Sequence, residues 1–400
     1  MKYILSYFLL LNIIFGQNDY PIVLIHGFFG WGNDEMGNYH YWGGNKDIQK
    51  TLEDSGFTVF NVSVGPISSN WDRAVEVYYQ LKGGQVDYGY GHSKKFGIIQ
   101  KPIDKKYIGL YPEWDENNPV HIIGHSMGGQ TARMLQYLLE TELFEDTSGK
   151  KKENSELLGQ SNRKWISSIT SLATPHDGST LADIVTKTFP FIQYFIGLAG
   201  VVGTNFYSFD LSQWNLIRGP NETWSSYVRR MRNHKAWGTK NISAWDLSLD
   251  GAAELNGYLN ASPDIYYFSF VFSATSKDKS TGYYTPNKDV FLLIRSRARI
   301  LGSKIVFKSD GSETDSTWWE NDGIVNLRSM KGPTSGQNGP DPIVPFVNSD
   351  PLMQGQWYTF DTINLDHYQS VGHMLSKEKR NMLDSIYINH AKRLLSLPKD

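Results

Sequence analysis

Short apolar runs without a polar break recur along this chain, and segments of helical spacing separate them. Pro21-Ile22-Val23-Leu24-Ile25 comes first, followed by Val120-His121-Ile122-Ile123, Ile166 to Ala173 and Ile265 to Phe272. A strand wetted on one face alternates polar and apolar residues; a strand covered on both faces does not. Phe57 to Val64 alternates and is rich in β-branched residues, which adds a strand of the first kind. Such a pattern demands an α/β fold with a mostly parallel sheet and helices on both faces. The 400 residues suit one large domain with an insertion. Gly65 to Trp114 is glycine- and tyrosine-rich and weakly periodic, and reads as an ordered inserted subdomain, about 65–115. Gly332 to Pro345 reads as a surface loop, and Lys377 to Leu397 as a closing helix with Leu383, Ile386, His390 and Leu394 on one face.

Composition removes several function classes. Lys+Arg number 39 against 41 Asp+Glu, a net charge of −2, which speaks against a disordered chain and a basic nucleic-acid binder. Cysteine is absent from the sequence, so disulfides, thiolate metal sites and cysteine nucleophiles are excluded together. Met1-Lys2, an apolar run from Tyr3 to Phe15 and a small Gly16 fit a cleaved secretory signal over residues 1–16, leaving 17–400 as the secreted, extracellular domain. The run is short for a bilayer span. A buried first helix and an uncleaved anchor are its rivals.

Gly124-His125-Ser126-Met127-Gly128 fits the G-x-S-x-G nucleophile elbow. It follows a buried strand directly and opens a helix in which Met134, Leu135, Leu138 and Leu139 recur at helical spacing. A hydroxyl on that turn would stand at the positive end of a helix. It still needs a base to take its proton and an acid to orient the base, in the chain order Ser, acid, His. His367 follows the strand-like Trp357-Tyr358-Thr359-Phe360 after a short loop, where the base belongs, with His373 as the rival and His390 assigned to helix packing or solvent. Asp322, between Asn321 and the run Gly323-Ile324-Val325, suits a loop–strand boundary, whereas Asp341 reads as solvated. Two amides should meet the developing oxyanion: Met127, after the nucleophile, and Phe28 in the loop His26-Gly27-Phe28-Phe29-Gly30.

With these residues in place the chain resembles a known family, the secreted true lipases of thermophilic bacilli and staphylococci that carry a zinc-binding extra domain. Ordered blocks carry the resemblance from about residue 20 to 395: Val23 to Phe28, Tyr41-Trp42-Gly43-Gly44, Val64-Gly65-Pro66, Ser69 to Ala74, Val86 to Gly89, His121 to Arg133, Ala173 to Gly178 and Glu320 to Asn326. The resemblance implies an α/β-hydrolase fold with Ser126, Asp322 and His367 as the triad and Phe28 and Met127 as oxyanion donors. Family members usually carry Gln after the serine, yet Met127 offers the same backbone N–H. Their zinc is held by two Asp and two His. Asp72, His92 and Asp246 match three of these positions, while the fourth, six residues after His92, is Ile98. That leaves a partial zinc site or a hydrogen-bonded polar cluster, since structural zinc normally has four protein ligands. The family's calcium site falls at Gly302, Gln369 and Met374, which lack the carboxylates calcium prefers, so calcium binding is expected to be lost.

The resemblance also places a lid over about 181–207, where Phe189 to Val202 is apolar nearly all round; a buried core helix is the alternative. Pro190, Gly197 and Gly200 favour a segment able to bend. The expected function is hydrolysis of acyl esters of triacylglycerols at an oil–water or membrane interface, with no cofactor required for catalysis. Phospholipase A-type hydrolysis and acyl transfer would use the same triad. A silent lipid-binding protein on the scaffold is a different class, and a zinc hydrolase is a weaker one because no His-Glu-x-x-His pattern exists.

Overall fold

The computed structural model describes residues 18–33, 35–143, 155–188, 211–216, 218–232 and 234–399. The proposed signal (1–16) and the apolar stretch Phe189 to Val202 lie outside the described residues. Seven strands form the central sheet: β1 (Ile22–Ile25), β2 (Val59–Val62), β3 (Val120–His125), β4 (Ile166–Leu172), β5 (Tyr266–Phe270), β6 (Ile343–Pro345) and β7 (Trp357–Thr359). Their order across the sheet is β6-β7-β5-β4-β3-β1-β2, and every neighbouring pair is parallel.

The unbroken apolar runs have a direct cause. In β1, Val23 and Ile25 point into one hydrophobic cluster, while Ile22 and Leu24 point into another. Helices α1 (Asn70–Lys82) and α2 (Met127–Glu140) supply the first cluster with Ala74, Val75, Tyr78, Leu135 and Leu139. The closing helix α3 (Lys377–Leu395) supplies the second with Leu383, Tyr387, Ala391 and Leu394. Each buried aliphatic side chain contributes about 1.5–3 kcal/mol, so both strand faces must be apolar for both layers to hold.

Helix α1 opens with Ser69, whose hydroxyl accepts the Asp72 amide at 3.2 Å, and α3 opens with Ser376, which accepts from Lys379 at 3.3 Å. Gly83 closes α1 at φ +92°. Beyond α1, the segment up to Tyr107 holds a short helix, Tyr90–Phe96, and a two-residue antiparallel pair, Gly84–Gln85 with Lys106–Tyr107. The stretch expected to be loop from Gly332 to Pro345 ends instead in β6, a three-residue edge strand. Its Pro345 is tolerated there because an edge position needs no second ladder bond. Among the described residues no helix is long and apolar enough to cross a membrane. The loops leaving β1, β3, β4, β5 and β7 all emerge at the carboxyl edge, the usual place for chemistry in a parallel sheet.

Candidate active site

The turn between β3 and α2 is strained, and the sequence explains why it survives. Ser126 has φ +55° and ψ −127°, a conformation that L residues rarely adopt. Glycine on either side makes room. A Cβ on Gly124 would lie 2.4 Å from the Gly128 backbone, and one on Gly128 would lie 2.2 Å from the Ile25 carbonyl. The Met127 amide stands in the first turn of α2, where no intrahelical acceptor exists.

His367 and Asp322 meet directly. The His367 ring donates through Nδ1 to Asp322 Oδ2 at 2.6 Å, and the His367 amide donates to the Asp322 carbonyl at 3.0 Å. Asp322 is fully buried, and its Oδ1 accepts the amides of Ile324 at 2.9 Å and Val325 at 2.7 Å. Its carboxylate is therefore aimed by backbone, and it aims the imidazole in turn. The His367 ring lies with its centroid 4.6 Å from that of His125, the residue before Ser126. No direct bond from the Ser126 hydroxyl to His367 is present among the described residues; such bonds are often long before substrate binds.

The rivals are occupied elsewhere. His373 accepts from Tyr39 through Nδ1 at 2.7 Å and donates to the Tyr41 carbonyl through Nε2 at 2.9 Å. Burial pulls its ring down to about 4. His390 packs inside α3 and bonds Thr170 at 2.7 Å. Asp341 accepts the Trp357 indole at 3.0 Å and is half-buried rather than solvated.

The loop after β1 is held from both sides. His26 accepts the Val64 amide through Nε2 at 3.1 Å, which leaves its Nδ1 to donate to the Gly27 carbonyl at 2.8 Å. Burial pulls this ring down to about 3, so it is neutral. The buried Arg73 of α1 donates to the carbonyls of His26 and Gly65 and to Thr131. No local pattern announces this role, because the segment from Gly65 is weakly periodic and the acceptors lie in other parts of the chain. Phe28 and Phe29 pack against the cluster of Ile67, Leu211 and Trp214, and Phe29 is held at φ +56°.

The predicted zinc positions are engaged in hydrogen bonds. His92 Nε2 donates to Asp72 Oδ1 at 2.8 Å, while Asp72 Oδ2 accepts from Asn241 at 3.0 Å and Gln213 at 3.3 Å. Asp246 turns to the Asn70 amide at 2.5 Å. Ile98, in the fourth position, packs with the apolar cluster beside Phe28. These contacts form the hydrogen-bonded polar cluster named as the alternative to a zinc site, and no group of three or more His, Asp or Glu is arranged to hold a metal among the described residues. The calcium positions are likewise committed. The Gly302 carbonyl accepts from Tyr284 at 2.9 Å, and Gln369 bridges the Asp366 amide and the Asp289 carbonyl, each at 3.1 Å. Met374 is exposed.

Comparison with known proteins agrees with this architecture. The chain is 34% identical to Lipase 1 of Staphylococcus aureus (strain MRSA252) over 366 residues, 89% of this chain and 51% of that protein. It thus spans about half the length of the curated relatives it matches. The structure of EstA from Clostridium botulinum superposes with a TM-score of 0.87 at 36% identity, covering 96% of this chain and 89% of that one. Lipase 1 from Pelosinus fermentans gives 0.81 at 36% identity, covering 95% and 99%. The parallel sheet with its flanking helices is of the α/β-hydrolase type. The family described as lipase-like, C-terminal domain matches residues 18–397, the whole span from the first strand to the last helix, and the chain belongs to that family.

Proposed function

We propose that this protein is a carboxylic ester hydrolase of the lipase type that cleaves acyl esters of triacylglycerols. One observation carries the reading: the buried Asp322–His367 pair stands at the carboxyl edge of the sheet beside a serine held in a strained strand-to-helix turn. Ser126 Oγ attacks the acyl carbonyl while His367 Nε2 takes its proton, and Asp322 stabilises the resulting imidazolium. The Phe28 and Met127 amides receive the oxyanion. Collapse breaks the ester C–O bond, and the leaving alcohol takes the proton from His367. Water then attacks the acyl-enzyme, gives a proton to His367, and releases the fatty acid as Ser126 is reprotonated. No step calls on a metal or cofactor.

The same reading has residues 1–16 removed on secretion and 17–400 as one domain, with an inserted subdomain at about 65–115 and a lid at about 181–207 that opens at a lipid surface. Hydrolysis of emulsified triacylglycerol, measured beside micellar phospholipid and a soluble short-chain ester, tests it, with Ser126→Ala as control. Preference for the emulsion that vanishes in Ser126→Ala is the expected result. Preference for micelles would make the enzyme a phospholipase. Silence on every substrate from a folded sample would leave only a lipid-binding role.

A further inference from the structure

Behind the serine lies a second set of buried polar groups that takes no part in the proton transfers above. The Gly27 amide, one residue from Phe28, donates to Tyr41 Oη at 2.8 Å. That hydroxyl lies 2.6 Å from His125 Nδ1. The other ring nitrogen, Nε2, is 3.0 Å from Ser370 Oγ, and Ser370 donates to the His367 carbonyl at 2.7 Å. Tyr41, His125 and Ser370 are 7%, 2% and 0% exposed, so bulk water offers them no alternative partners.

The two ends fix the polarity of the whole chain. The Gly27 amide can only donate and the His367 carbonyl can only accept. Ser370 commits its one proton to that carbonyl and must therefore accept from His125 Nε2. Tyr41 accepts from Gly27, and its own proton goes to His125 Nδ1. Every bond points the same way, and the arrangement holds only for a neutral His125 in its Nε2–H form. A second ring proton would set Nδ1–H against the Tyr41 O–H. Burial, with His367 nearby, holds this ring well below the usual histidine range, and burial pushes the Tyr41 phenol up, as the scheme requires.

We infer that Tyr41, His125 and Ser370 form a one-way hydrogen-bonded strut that keeps the oxyanion loop and the backbone of His367 in register on either side of Ser126, and that all three are positioning residues for ester turnover. The inference rests on the roles of Ser126 and His367 proposed above. Tolerances here are small: a Cβ on Gly27 would lie 2.7 Å from Ser126 Cβ. A shift of the loop moves the hole relative to the base, and misplacement by about 1 Å can cost about 100-fold in rate. A neutral His125 also spares the imidazolium forming on His367 a second cation beside it.

Tyr41→Phe and Ser370→Ala each delete one oxygen from the strut and form a double-mutant cycle, read as kcat and KM on p-nitrophenyl butyrate. Each single variant is expected to lose about 5- to 100-fold in kcat, with KM within about threefold of the parent. Ser370→Thr, which keeps the hydroxyl, should recover most of the loss. The double variant should lose about as much as the worse single one, because either deletion already breaks the strut. Losses that multiply, or that fall on KM alone, would overturn the inference. Nitrogen NMR of the unsubstituted protein gives a test that no misfolded variant can obscure. The His125 ring is expected to stay neutral and Nε2-protonated from about pH 8 to about pH 5, across the usual histidine range. An Nδ1–H form, or titration within that window, would refute the strut. Turnover surviving in Ser126→Ala would instead sink the assignment of the nucleophile, leaving the tautomer result to stand by itself.

Discussion

Replacing Asp322 by Asn tests the orientation of His367 with almost no change in shape. Asp322 Oδ1 accepts two backbone amides, at 2.9 and 2.7 Å, and Oδ2 accepts the His367 ring at 2.6 Å. An asparagine has one oxygen for these three donors. Turned to the backbone, its oxygen satisfies two of them, and its NH2 then faces His367 Nδ1. Turned the other way, two buried amides meet an NH2 group and lose their acceptor, at about 1–3 kcal/mol each. The first arrangement wins. It strips the proton from Nδ1, places it on Nε2, and leaves nothing to accept the serine proton. The wrong tautomer costs on the order of 10⁴-fold in kcat, about 5.4 kcal/mol of transition-state stabilisation. Steady-state hydrolysis of a soluble p-nitrophenyl ester measures the loss, and a thermal melt shows that the fold persists. A loss below about tenfold would refute the reasoning, since the residual rate expected from the oxyanion hole alone is far lower. Asp366, whose carboxylate accepts the Phe291, Tyr368 and Gln369 amides, would then be the acid to examine.

Gly128→Ala should destabilise the protein by about 1–3 kcal/mol and abolish turnover, because its Cβ would fall 2.2 Å from the Ile25 carbonyl and 2.9 Å from that of His26; urea denaturation beside an esterase assay shows whether both effects appear. Burial holds His26 and His121 at about 3 and His373 at about 4. The unfolded chain binds those protons near pH 6.5 and the folded chain does not, so stability should fall as pH drops from about 6.5 towards 4. Urea midpoints unchanged between these values would contradict the burial of three neutral rings. Because hydrogen bonds occupy the positions expected from the sequence for zinc and calcium, chelation should leave Tm within about 2 °C. A larger drop by differential scanning calorimetry, restored by either metal, would show that the polar clusters open to hold one.

Much of the fold is legible because burial on two faces leaves a plain mark. Val23 and Ile25 serve one core and Ile22 and Leu24 the other, so the run had to be apolar throughout. Helix α1 is the opposite case. Asp72, Arg73, Glu76 and Gln80 are all buried within it, which breaks the apolar spacing, and the segment from Gly65 read as weakly periodic. Those polar residues are bonded rather than solvated: Glu76 accepts from Gly65, Tyr88 and Lys105, and Gln80 bonds both backbone groups of Ser63. The partners lie far along the chain or in other loops, so no local pattern announces them. Strand β6 was hidden for another reason. Three residues at a sheet edge beside a Gly/Pro-rich stretch carry too little periodicity to separate from a loop.

His26, His125, His367 and His373 converge on one end of the sheet, and residue type alone cannot rank them. Their partners can. Each of the first, second and fourth rings has one nitrogen accepting from an amide or hydroxyl and the other donating to a carbonyl or hydroxyl. A ring so committed loses a hydrogen bond on gaining a proton, and burial adds a further cost. His367 alone among them gives its Nδ1–H to a carboxylate, that of Asp322. On the mechanism proposed above, the other three rings, each held at both nitrogens, leave the serine proton to His367. Several histidines can thus stand beside the proposed acyl-transfer site without competing for its proton.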